Sequence, residues 1–170
     1  MSQLPADFIT QITQLLGADE ASALCTALTG SEAPVSIRRN PLKPVETLPE
    51  AEVGAVPWCD AGCYLAARPR FTYDPLLHAG CYYVQEAASM FVEQAYRRIV
   101  ADFQPHRLLD LCAAPGGKST LWRSLLPAEH LLVANEPIRQ RAQILAENLA
   151  KWGHPDTVVT VSYTHLRAHE

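Results

Sequence analysis

The apolar run Leu108–Leu109–Asp110–Leu111 passes directly into Cys112–Ala113–Ala114–Pro115–Gly116–Gly117–Lys118–Ser119, and that loop leads into Thr120–Leu121–Trp122. A short strand, a loop of small residues and a helix start, in that order, constrain this chain more than any other stretch. α/β proteins hold anionic or nucleotide-like ligands this way. The loop exposes backbone N–H groups, and the helix N-terminus adds partial positive charge.

The pattern on either side sets the fold class. Ala87, Phe91, Ala95 and Ile99 are spaced as one apolar face of a helix from Glu86 onward. A strand is predicted at Arg107–Leu111, a helix from the glycine loop to Leu126, and a second strand at His130–Ala134. Pro137, suited to a first helical position, opens a helix whose apolar face is Ile138, Ala142, Leu145, Leu149 and Trp152; Gly153 closes it. A third strand follows at Asp156–Val161. Strands alternating with helices predict parallel β-α-β units, the first half of a doubly wound Rossmann-like sheet over residues 86–160. Before it, residues 1–85 read as a small α+β domain. Phe8, Ile9, Ile12, Leu15 and Leu16 predict a helix ending at Gly17, and a second helix runs from Glu20 to Leu28. β-like pieces lie near Pro34–Ile37, Val53–Trp58, Cys63–Ala67 and Cys81–Val84. With 48% apolar residues among 170, the chain can bury a core.

Three ligands compete for the loop. Gly117–Lys118–Ser119 matches the end of a nucleotide-binding P-loop, but the opening glycine falls at Cys112, and Pro115 removes a donor where phosphates would be wrapped. A dinucleotide or S-adenosylmethionine site uses the same loop together with an acid at the end of the second strand, for the ribose hydroxyls. Glu136 stands there, following Asn135. The loop lacks the full G-x-G-x-x-G pattern, which disfavours NAD. Glu136 also reads as a helix-start acid.

The residues from Asp110 to Ser119 resemble the first motif of the Nop/Sun family, the RNA cytosine-5 methyltransferases that use S-adenosylmethionine. Tyr83-Val-Gln-Glu-Ala-Ala-Ser-Met90 is similar to the family's helix before that motif. Ile37-Arg-Arg-Asn-Pro-Leu-Lys43 is similar to its R-x-N-x-x-K element. The stretches Trp58–Tyr64 and Ala134–Glu136 resemble bacterial ribosomal RNA members. The resemblance implies that Cys112, Ala113, Ala114, Pro115, Gly116, Gly117 and Lys118 line the cofactor, with Glu136 on its ribose. Cys112 is expected to be a small buried side chain rather than a nucleophile. RNA, foremost ribosomal RNA, is the implied partner, with Arg38, Arg39 and Lys43 as candidate phosphate contacts.

In this family a cysteine thiolate adds to carbon 6 of cytosine and so makes carbon 5 nucleophilic. The two cysteines lie in Asp-x-Pro-Cys and Thr-Cys motifs after the fourth and fifth strands. Neither motif is present, and no cysteine follows Cys112. The expectation is an N-terminal fragment that holds the methyl donor but contains no catalytic residue and is inactive. Its first parallel strand would be left with an open edge. Residues 161–170 resemble a translated sequencing adapter and are expected to be non-native. The alternatives are a non-catalytic RNA- or cofactor-binding module and a P-loop NTPase. Net charge of −4 argues against a chain coated in basic charge, though not against a local basic groove. Five cysteines and no signal-peptide pattern suggest a cytoplasmic protein without a disulfide framework. Cys59 and Cys63 read as structural, with no metal expected. No membrane segment and no obligate protein partner are indicated.

Overall fold

The structure is a computed structural model and describes residues 4–30 and 33–162. Of the expected non-native segment 161–170, only Val161 and Ser162 fall among these. Residues 163–170, with His165 and His169, lie outside the described residues.

The described chain divides into two compact units at Pro34/Val35. The first holds helices α1 (Ala6–Leu16) and α2 (Ala18–Gly30). Gly17 stops α1 as anticipated: its φ of 83° is left-handed, and its N–H closes on Thr13 O at 3.0 Å.

The second unit opens with an antiparallel sheet of β1 (Val35–Arg39), β2 (Glu52–Ala55), β3 (Gly62–Leu65) and, after a 3₁₀ turn at Phe71–Tyr73 and helix α3 (Pro75–His78), β4 (Tyr82–Val84), in the order β2-β3-β1-β4. Helices α4 (Ala87–Met90) and α5 (Val92–Asp102) follow. The parallel part then runs β5 (Arg107–Asp110), α6 (Gly117–Leu125), β6 (Leu131–Asn135), α7 (Arg139–Trp152) and β7 (Thr157–Thr160). Its sheet order is β5-β6-β7, with Leu108 opposite Leu132 and Leu132 opposite Thr157. This is the predicted partial Rossmann-like sheet. Leu132, Ala134 and Leu145 are fully buried at its centre.

The split into compact units at Pro34/Val35 falls inside the segment 1–85 read as the N-terminal domain. The four-stranded sheet packs with the parallel half. A side chain on Gly62 of β3 would strike Met90 of α4 at 2.8 Å, and Trp58 Nε1 donates to Ala87 O at 2.7 Å.

Two further expectations change. One helix was predicted through Ala87, Phe91, Ala95 and Ile99; the chain breaks at Phe91, and Phe91 and Ile99 are exposed while Glu93 and Tyr96 are buried. Periodicity found an apolar face, but α5 turns a different one inward. β5 is the outer strand among those described, and Leu109 and Leu111 are also exposed beside that helix face. Pro137 lies two residues ahead of α7. Ile138 stays extended because its N–H is taken by Glu136 Oε1 at 3.1 Å, and the helix begins at Arg139. Ile138 is exposed, whereas Ala142, Leu145, Leu149 and Trp152 form the buried face as predicted.

Candidate functional site

Strand β5 ends at Asp110, and the loop turns over its C-terminal edge. Asp110 Oδ2 accepts from Ser119 Oγ at 2.8 Å, which ties strand to helix beneath the loop. Gly116 caps α6 with φ of 115°, a left-handed geometry suited to glycine. The Ala114–Pro115 peptide is cis. Side chains from the neighbouring β-α unit hold the loop's backbone carbonyls. Asn148 Nδ2 donates to Pro115 O (2.8 Å), Arg141 Nη2 to Ala114 O (3.1 Å) and Asn135 Nδ2 to Leu111 O (3.2 Å), while Ala113 N donates to Asn135 O (3.0 Å). The carbonyls are thus engaged from behind, and the first-turn N–H groups of α6 have no partner within their own helix.

A cleft of about 230 Å³ lies against this loop. One wall is Cys112, Ala113, Ala114, Pro115, Gly117 and Lys118. The other runs from Tyr83 through Glu86 to Ser89. The walls meet at Gly117, where an added Cβ would stand 3.4 Å from Tyr83 Cε1 and 3.5 Å from Gln85 Nε2. Burial pushes the Tyr83 phenol up, with Arg38 opposing, so it is neutral at physiological pH. Tyr83, Gln85 and Ser89 were absent from the predicted site residues. The signal for them was the 83–90 segment, read only as a helix lead-in.

Of the residues read as lining the cofactor, Cys112, Ala113, Ala114, Pro115, Gly117 and Lys118 border this cleft, and Gly116 is not among its lining residues. Cys112 is exposed and lines the cleft, which corrects the expectation of a buried side chain. Glu136 directly follows β6 and is outside the cleft lining. It is 2% exposed, with Oε1 on Ile138 N and Oε2 3.5 Å from Arg141 Nη2.

The phosphate-contact candidates fare differently. Arg38 is 1% exposed and buried among neutral acceptors, so it cannot reach a phosphate. Lys43 Nζ donates to Ala79 O (2.9 Å) and Lys151 O (2.6 Å), at the C-terminal turn of α7. There the helix dipole favours a cation. Arg39 alone of the three is an exposed residue, and it pairs with Glu52. Cys59 and Cys63 are buried in two separate core clusters. Burial and a hydrogen bond to Glu93 push the Cys59 thiol up to about 12. No group of three or more metal-ligating side chains occurs among the described residues.

Residues 4–87 match the family model described as the N-terminal domain of 16S rRNA methyltransferase RsmF, and residues 99–168 match that of 16S rRNA methyltransferase RsmB/F. The chain belongs to the Nop/Sun family. Among curated members, it is 30% identical over 169 residues to ribosomal RNA small subunit methyltransferase F of Shewanella woodyi, covering 94% of this chain and 35% of that protein. It is 33% identical over 170 residues to the Erwinia tasmaniensis protein of the same name, covering 92% and 34%. The chain thus spans about a third of the length of these relatives. Solved structures share the fold. A methyltransferase homologue from Pyrococcus horikoshii has a TM-score of 0.75 at 24% identity, covering 98% of this chain and 55% of that one. NSun6 from the same organism, solved with SFG, has a TM-score of 0.73 at 13% identity, covering 98% and 67%. No helix among the described residues is long and apolar enough to cross a membrane.

Proposed function

We propose that this chain is the donor-holding part of an S-adenosylmethionine-dependent ribosomal RNA methyltransferase acting on carbon 5 of cytosine, in the cytoplasm. The observation that carries the reading is the cleft between Tyr83–Ser89 and the Cys112–Lys118 loop at the C-terminal end of β5. Ligands of open parallel sheets bind at this end.

The residues fit the cofactor. Ala113, Ala114 and Gly117 leave room for a ligand to approach the backbone, and the N–H groups at the start of α6 suit a carboxylate. Glu136, directly after β6, is the acid the family resemblance assigns to the ribose hydroxyls; it is 2% exposed and outside the cleft lining, so a hydroxyl reaches it only by displacing its long 3.5 Å contact with Arg141. When bound, the cofactor supplies an electrophilic methyl group. The phosphate-contact role remains with Arg39. On the family's scheme, cytosine-5 transfer needs the two cysteines of the Asp-x-Pro-Cys and Thr-Cys motifs. This sequence holds neither motif, so the 170-residue chain by itself binds the donor without using it.

Calorimetric titration of the chain tests this. Binding of S-adenosylmethionine, no binding of ATP with Mg²⁺, and no transfer of labelled methyl to ribosomal RNA are expected. ATP binding in place of S-adenosylmethionine would reverse the ligand assignment, and labelled RNA would reject the inactivity.

A further inference from the structure

The R-x-N-x-x-K element divides its work between two places. Asn40 and Lys43 hold the end of α7: Asn40 Nδ2 donates to Gly80 O (2.8 Å) and Trp152 O (2.9 Å), and Lys43 Nζ to Lys151 O. Arg38 reaches the cleft instead. Its Nε donates to Gln85 Oε1 (2.9 Å), and its Nη2 to Gly117 O (3.2 Å) and Thr120 Oγ1 (2.5 Å), with the guanidinium carbon 4.6 Å from the Trp152 ring centroid. Gln85 and Gly117 belong to opposite walls of the cleft.

One planar, rigid donor set therefore spans the two walls from behind. Burial pushes the guanidinium down to about 10, so it stays charged at neutral pH. Its hydrogen-bond partners are an amide, a carbonyl and a hydroxyl; the Glu93 charge acts on it only without a hydrogen bond, and burial still outweighs it, so burying this charge is unfavourable. If Arg38 served packing alone, an uncharged chain of the same length would do better. Its fork offers what such a chain lacks, a fixed separation between Gln85 and the first turn of α6.

We propose that Arg38 is a positioning residue for the cofactor cleft, setting its width by bonding Gln85 and Gly117 together without touching the ligand. This rests on the S-adenosylmethionine reading above.

The test titrates S-adenosylmethionine into the full chain and its variants, well below each melting temperature. Arg38→Met is expected to raise Kd about tenfold or more, the size of a lost hydrogen bond to a charged group. Thr120→Val should weaken binding too, and combining the two should weaken it no further than Arg38→Met alone. Lys43→Met, in the same element but bonded to Ala79 O and to Lys151 O at the end of α7, away from the cleft lining, should lower the melting temperature and leave Kd within about twofold. Should Arg38→Met fail to fold, Arg38→Lys, which keeps the charge but loses the fork, takes its place in the comparison with Lys43→Met. Equal changes in Kd for the position-38 and position-43 variants would overturn the proposal, as would an unchanged Kd at position 38. An unsubstituted chain that binds no S-adenosylmethionine overturns the cofactor reading itself, and the proposal with it.

Discussion

Ser119 Oγ donates to Asp110 Oδ2 at 2.8 Å, and Ser119 is fully buried. In a phosphate-binding loop that hydroxyl would face a metal ion; here it faces the strand it follows. The Gly-Lys-Ser sequence thus closes the strand-loop-helix turn from inside. Ser119→Ala is expected to cost about 1–2 kcal/mol, because the Asp110 carboxylate loses a buried donor. Urea unfolding measures this, and no loss of stability would reject the tie.

Arg123 makes a second closure that no spacing revealed. It is 2% exposed. Nη1 donates to His130 O and to Asp156 O (3.1 Å), and Nη2 to Leu126 O (3.0 Å) and Pro127 O. One side chain thus holds the end of α6, the turn after it and the entry to β7. Arg123→Met is expected to destabilise the chain by about 3 kcal/mol, since several carbonyls lose their donor together. A change below about 1 kcal/mol in denaturant unfolding would show the carbonyls finding other partners.

Legibility in the sequence followed range. The loop, α6 and the buried face of α7 were readable because each depends on residues within a few turns of one another. Arg38 and Lys43 read from sequence as phosphate contacts because the partners that engage them, Gln85 and Thr120 for buried Arg38 and Lys151 for half-buried Lys43, are remote in sequence. A charge pattern says nothing about what the fold brings over it. Cys112 was misread for the converse reason: a small thiol after an apolar strand suggests burial, but the loop carries it to the open side. Tyr83 and Gln85 sat in a recognised motif, yet only β4 pairing with β1 brings them opposite the loop.

The five cysteines separate by environment. Cys112 is exposed on the cleft. Cys59 is buried, and its thiol is pushed up to about 12 by burial and by Glu93, so it carries almost no thiolate at pH 8. Maleimide at that pH is expected to modify Cys112 first and leave Cys59 unmodified until the chain unfolds. S-adenosylmethionine should slow the Cys112 reaction. Peptide mapping by mass spectrometry reads both effects, and a rate unaffected by saturating cofactor would count against ligand in the cleft.

His154 lends the end of α7 a pH dependence. Desolvation first, then the nearby Arg123 charge, lowers its affinity for a proton, with Asp156 opposing. Its Nδ1 accepts from Asp156 N at 3.2 Å, which requires the unprotonated ring. The unfolded chain therefore binds the proton more readily than the folded one. The stabilisation is present above the ordinary histidine value of 6.5 and is lost as pH falls below it. The melting temperature should drop between pH 7 and pH 5, less steeply in His154→Asn. Equal slopes in the two proteins would assign the pH dependence elsewhere.

β5 is the outer strand of its sheet among the described residues. Leu109 stands exposed on the strand and Leu111 just after it, with Ile99 and Phe103 on the adjoining helix and its exit; Leu109, Leu111 and Ile99 border one apolar groove. A parallel strand is normally buried on both faces, and an apolar strand with a free edge is a template for association. The chain is therefore expected to self-associate as its concentration rises. Leu109→Lys places a charge in the middle of the patch and removes little packing, since the side chain is 57% exposed. It should reduce association while changing stability by less than about 0.5 kcal/mol. Sedimentation velocity over a concentration series decides the matter: a chain that stays monomeric throughout, or a variant that associates as strongly as the parent, would mean that the groove does not drive association.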